Sequence, residues 1–157
     1  MSGVRRVNGM RRMILLAMIG VFLAQGTECR AGSPGITVKE QKAVLSPMIV
    51  GAGAAFMTIV NEGSGDDTLV RARTDMDGTI VELHDFKDGK MMRTEDIAIP
   101  AKNTVMLRPG SLHIMIFNIP KSVNVDHAFA LTLVFKKSGE MTIPLRFTTP
   151  PFPSSHH

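Results

Sequence analysis

Apolar runs of strand length recur from Ile36 onward, rich in Val, Ile, Thr and Phe and broken by Gly, Pro, Asn and Asp. Runs of that length with that punctuation predict strands. They fall at residues 36–45, 54–60, 68–73, 79–85, 91–94, 104–107, 113–117, 128–136 and 141–147. Between them, Asn61-Glu62-Gly63-Ser64-Gly65-Asp66-Asp67 reads as a polar loop. Asp88-Gly89 and Ser138-Gly139 read as hairpin turns and Pro109-Gly110 as a further turn, each built from residues suited to tight reversals. No stretch after residue 31 sustains a helical period. Many short strands spaced in this way imply one all-β domain, a sandwich or barrel, over residues 32–148. Residues 149–157, with Pro150, Pro151 and Pro153, are expected to form an extended tail.

The first 31 residues have another texture. Arg5, Arg6, Arg11 and Arg12 precede an apolar run from Met13 to Ala24, followed by small residues at Ala24-Gln25-Gly26 and Cys29-Arg30-Ala31. That is the layout of a secretory signal peptide, with an apolar run too short to span a bilayer comfortably. Residues 1–31 are therefore expected to be cleaved, near residue 26 or 31. The rest is expected to be periplasmic or otherwise extracytoplasmic, with no stable membrane span.

Removing the leader changes the charge balance. The whole chain carries 18 Lys and Arg against 14 Asp and Glu, a formal net charge of +4. Arg5, Arg6, Arg11, Arg12 and Arg30 lie in the leader, as does Glu28, which leaves 13 positive and 13 negative residues. The basic balance thus belongs to targeting. With no surplus of Lys and Arg and no Trp or Tyr, nucleic-acid binding is set aside. Cys29 is the single cysteine, so no intramolecular disulfide forms. It is lost with the signal or left on the N-terminus, and Glu28 before it departs from the small residues that lipoprotein processing prefers.

Strand alternation then singles out one region. Side chains at i and i+2 share a face. In Leu112-His113-Ile114-Met115-Ile116, the aliphatics Leu112, Ile114 and Ile116 point to the core, and His113 and Met115 point together to the other side. In Val81-Glu82-Leu83-His84, Leu83 takes the core side and His84 the outer one. The hairpin after His84 brings Met91 or Met92 alongside it. Two imidazoles and two or three thioethers form a soft, neutral donor set suited to Cu(I).

Other chemistries find less support. A blue-copper electron carrier needs a Cys thiolate, and the chain has none after the leader. There is no Gly-x-Ser-x-Gly, no phosphate-cradling loop and no oxygen-rich Ca loop, and an enzyme is not expected. Asp85 is the carboxylate next to His84, and alternation turns it to the opposite face. Met48, Met57, Met76, Met106 and Met141 read as packing or surface residues and His127 as a loop residue. His156 and His157 form a further pair able to catch copper adventitiously.

The constellation resembles the periplasmic copper chaperone family PCu(A)C, whose pattern is a His, a Met further on, and then a His-x-Met. Met91 and His113 are separated by 21 residues, and His113-Ile114-Met115 supplies the His-x-Met. Leu107-Arg108-Pro109-Gly110-Ser111-Leu112-His113-Ile114-Met115 is similar to the family's Pro-Gly-Gly-x-His-x-Met stretch, with Ser111 in place of a Gly. Ala54-Ala55-Phe56-Met57-Thr58-Ile59-Val60-Asn61 is similar to its second strand and Asn turn. Only six residues separate His84 from Met91, a shorter hairpin than the family's. Spacing favours Met91 as the first methionine, whereas the Met92-Arg93 pair favours Met92, and this local context tips the reading toward Met92.

The resemblance implies a cupredoxin-like, Greek-key antiparallel β-sandwich. It implies one Cu(I) at an exposed site of His84, Met91 or Met92, His113 and Met115. It also implies a metallochaperone that carries copper to an acceptor such as the binuclear copper centre of cytochrome c oxidase. The same donors would serve a copper buffer or scavenger with no dedicated acceptor, or stand incidentally on a structural sandwich.

Overall fold

In the computed structural model, which describes residues 32–149, ten strands follow one another with no helix between them. They are β1 (Ile36–Leu45), β2 (Gly53–Asn61), β3 (Asp67–Thr74), β4 (Ile80–Lys87), β5 (Lys90–Thr94), β6 (Ile97–Ile99), β7 (Asn103–Leu107), β8 (His113–Phe117), β9 (Ala128–Phe135) and β10 (Gly139–Thr148). The expected signal segment 1–31 with Cys29, and residues 150–157 of the expected tail, lie outside the described residues.

The alternation that predicts these strands also sets what they bury. Along β10, Ile143, Leu145 and Phe147 are buried while Thr142, Pro144 and Arg146 are exposed. Pro144 is tolerated because β10 meets β1 only at Ala43↔Phe147 and Val44↔Thr148, so no ladder bond is needed on that edge further up. β6 is the strand the apolar pattern does not announce. It is three residues long, ends at Pro100, and its only signature is a buried Ile97 and Ile99 flanking an exposed Ala98.

The strand order is β5-β4-β8-β2-β1-β10-β9-β3-β6, with β7 also paired to β2. All pairings are antiparallel except β1 with β10, which is parallel and joins the two halves of a sandwich. One cluster fills the space between them, including Ile59, Ile114 and Ile116 from one half and Leu69, Ile99, Leu131, Leu133 and Phe147 from the other. Burying such side chains contributes about 1.5–3 kcal/mol each before chain entropy is counted.

Two buried polar side chains hold the loops to this frame. Asn61 Oδ1 accepts from the backbone N–H groups of Gly35 and Gly63, both at 3.0 Å, and its Nδ2 donates to the carbonyls of Gly65 and Ile99. Asp67 accepts from the backbone N–H groups of Thr68, Lys137 and Ser138 at 2.8–2.9 Å, tying the start of β3 to the β9–β10 hairpin. Burial pushes the Asp67 carboxyl upward, but the Ser138 hydroxyl and those N–H groups outweigh it and hold it below the ordinary carboxylate range.

β7 and β8 pair with β2 one after the other, β7 with residues 57–61 and β8 with residues 53–55. Between them the chain makes a tight excursion. Ser111 N donates to Arg108 O at 3.1 Å, and Arg108 N to Leu112 O at 2.8 Å. Pro109 and Gly110 occupy the centre of this turn, with Gly110 at φ +75° as the second central position of a type II turn requires. The excursion ends where β8, flanked by β4 and β2, begins at His113.

Candidate metal centre

Register places the candidate donors. β4 pairs with β8 as Glu82↔Met115, Leu83↔Ile114 and His84↔His113. Directly opposed residues share a face. Glu82, His84, His113 and Met115 therefore lie together, while Leu83 and Ile114 enter the core. The two imidazole centroids are 5.7 Å apart.

The β4–β5 hairpin decides which methionine joins them. Asp88 and Gly89 both have positive φ, 52° and 75°, the backbone of a two-residue type I′ turn. That turn sets Lys87 opposite Lys90, and counting back gives Phe86↔Met91, Asp85↔Met92 and His84↔Arg93. Met91 thus stands on the face of His84, and its Sδ lies 3.3 Å from His113 Nε2. Met92 lies on the other face with Asp85, whose carboxylate accepts from Lys87 Nζ at 3.0 Å. That hydrogen bond holds the Asp85 carboxyl below the usual range.

Both ring nitrogens of His113 have a neighbour, whereas His84 has one nitrogen engaged and one without a partner. His113 Nδ1 lies 2.6 Å from the Ser111 carbonyl, an acceptor, so Nδ1 carries the proton and Nε2 presents its lone pair toward Met91. His84 Nε2 lies 2.9 Å from Glu82 Oε2, and His84 Nδ1 is buried without a hydrogen-bond partner. A buried polar atom left unpaired is costly unless something else satisfies it. An unpartnered nitrogen on a ring 5.7 Å from a second imidazole, which itself meets a thioether, is an arrangement a soft cation fits.

Exposure is where expectation and structure part. His113 and Met115 do point away from the aliphatics, yet they are only 4% and 8% exposed. The reason is that β8 is interior to the sheet and the side chains around it are large. The Phe56 ring stands 6.3 Å from His113 and the Phe117 ring 6.1 Å from His84. The imidazoles are recessed, while Met91, in contact with His113, is 56% exposed.

Glu82 is the neighbour that the sequence reading passed over in favour of Asp85. The signal was available, since Glu82 is two residues before His84 and alternation puts both on one face. Among the described residues no three His, Cys, Asp or Glu side chains group to hold a metal ion. The donors brought together are two imidazoles and thioethers.

A family model described as lipoprotein LpqE-like matches residues 36–146. Among solved structures, the copper-bound PCuAC domain from PmoF2 is 25% identical with a TM-score of 0.62, over 75% of this chain and 97% of that one. The apo PCuAC domain from PmoF1 is 23% identical with a TM-score of 0.64, over 75% and 98%. The Cu(I) form of DR1885 from Deinococcus radiodurans is 21% identical with a TM-score of 0.59, over 80% and 85%. These last two likenesses are of fold. No curated protein sequence matches the chain. The expected cupredoxin-like sandwich of the PCuAC type is thus the fold observed.

Proposed function

Since the chain belongs to the LpqE-like family and folds as a PCuAC domain does, we propose that it binds one Cu(I) through His84, Met91, His113 and Met115 and hands it to an acceptor protein. The observation that carries this reading is the convergence of a lone-pair nitrogen on His113 with the Met91 thioether at 3.3 Å, beside the unpartnered Nδ1 of His84. Imidazole alone would also suit Zn, but the thioethers select a soft monovalent ion, and Mg and Ca sites draw on carboxylates and carbonyls.

The cargo's handling follows from the donor set. The four ligands are neutral, so thiolates or other anionic donors on an acceptor would displace them by the stronger attraction of charge. His113 is held by the Ser111 carbonyl and the hydrogen-bonded turn before it, and so is oriented in advance of the metal. Met91, at the exposed side, is the donor an acceptor would replace first. The binuclear copper centre of cytochrome c oxidase is the acceptor this reading favours, and an extracytoplasmic location goes with it. The domain acts here as a carrier and not as an enzyme.

The test is a Cu(I) titration against a chromophoric chelator. The chain is expected to bind one equivalent, and the double variant His113→Ala with Met115→Ala to bind none. Stoichiometric binding retained in that variant would overturn the assignment. X-ray absorption of the Cu(I) form should show nitrogen and sulfur neighbours together. Loss of oxidase copper on deletion separates delivery from mere storage.

A further inference from the structure

Glu82 sits directly across from Met115 and on the same face as His84. One of its oxygens, Oε2, lies 2.9 Å from His84 Nε2, and the other, Oε1, lies 3.5 Å from Arg93 Nη1. A carboxylate only accepts hydrogen bonds, so the proton of this contact sits on the ring, at Nε2. The lone pair of a neutral His84 is then on Nδ1, the nitrogen that is buried and has no partner.

We propose that Glu82 is a positioning residue of the copper site: it holds His84 in the Nε2–H form so that Nδ1 meets Cu(I), and its charge balances that of the bound ion. This rests on the copper reading above and deepens it. Two features of the surroundings support it. The site is recessed, with the His84 side chain 13% and the Glu82 side chain 23% exposed, and a cation brought there needs compensation that neutral donors do not give. The other nearby carboxylate, Asp85, faces away and is engaged by Lys87. An imidazole that donates to a carboxylate is also fixed in orientation and made a stronger donor.

The two histidines are therefore used in opposite senses. His113 presents Nε2 and is anchored through Nδ1 to a neutral carbonyl. His84 presents Nδ1 and is anchored through Nε2 to an anion. Arg93, opposite His84 on β5, holds the far oxygen of Glu82 and so steadies the anchor.

The experiment is long-range 1H–15N correlation of the imidazoles in the 15N-labelled chain, at a pH where they are neutral, before and after Cu(I). It compares wild type, Glu82→Gln and Glu82→Ala. In metal-free wild type His84 should carry its proton on Nε2. Gln keeps an accepting oxygen and should preserve that form, while Ala should give a mixture of tautomers. On adding Cu(I), the His84 Nδ1 resonance should move and the Nε2 proton remain. Cu(I) affinity should fall about tenfold or more in the Ala variant, as on loss of other outer partners of metal ligands, and by less in the Gln variant.

Copper on His84 Nε2 in wild type would overturn the proposal. So would an Ala variant with unchanged tautomer and an affinity within about twofold of wild type. Should the Ala variant fail to fold, the wild-type and Gln spectra decide. A wild type that takes up no Cu(I) would instead overturn the copper reading, while the metal-free spectra still test what Glu82 does to His84.

Discussion

Met91 and Met92 are neighbours in sequence with similar exposure, 56% and 55%, yet they stand on opposite faces of β5. Their substitutions should therefore separate cleanly. Met91→Leu is expected to weaken Cu(I) binding by about tenfold or more, at least what the loss of an outer partner would cost. Met92→Leu should stay within about twofold, as for a surface change away from the site. Competition with a chelator of known affinity reads both, and equal losses would sink the distinction. His113-Ile114-Met115 was legible in the sequence because i and i+2 share a face in any strand. Which methionine shares the face of His84 was misjudged, because the deciding signal lies in turn geometry. A two-residue Asp88-Gly89 turn forces Lys87 opposite Lys90, and the family-like Met92-Arg93 pair pulled against that count. Burial was not legible, because the Phe56 ring over His113 comes from β2, and the Phe117 ring, though on β8 itself, covers His84 only through the pairing of β8 with β4.

At the scale of elements, the turn at residues 108–111 matters more than its length implies. It delivers the Ser111 carbonyl to His113 Nδ1 at 2.6 Å and so fixes which nitrogen faces Met91. Gly110 adopts φ +75°, and a side chain built there would meet nothing within 4 Å, so conformation and not space restricts the position. Gly110→Val should thus cost about 1–2 kcal/mol of stability, the strain of the left-handed region for a residue with a Cβ. If the strained turn moves Ser111, Cu(I) binding should weaken as well. Urea unfolding and chelator competition measure the two effects, and unchanged stability would contradict the first. Pro109-Gly110 announced this turn in advance. β6 could not be seen in the same way, because three residues hold too little alternation to exceed the pattern of a loop.

For the molecule as a whole, an otherwise apolar frame depends on a few polar ties between its strands and hairpins. Asp67 joins β3 to the β9–β10 hairpin through backbone N–H groups, and its folded carboxyl lies below the ordinary range. A depressed folded value means that stability is present above the unfolded value, about 3.9, and fades as pH falls through the folded one. Asp67→Asn puts an amide donor against backbone donors, and should cost about 1–3 kcal/mol near neutrality. It should also flatten the loss of stability below about pH 4. Chemical unfolding across pH gives both quantities, and a variant that tracks wild type throughout would show that the tie is dispensable. The all-β class and the strand count were nearly complete in the sequence. The parallel β1–β10 seam was not, since it rests on two residue pairs and no local pattern specifies which distant strands meet.

The place of β5 at the outer rim of the sheet has a consequence for how a captured ion would leave. His84 and His113 ride on β4 and β8, each of which has a neighbour on both sides, whereas Met91 belongs to a strand with a partner on one side only. On the proposed reading, the pincer has one jaw set in the framework and one on a hinge. Swinging that edge strand aside would loosen the grip while β4, β8 and the core stay in place, so the lifetime of the bound state would follow the local breathing of the rim and not the unfolding of the domain.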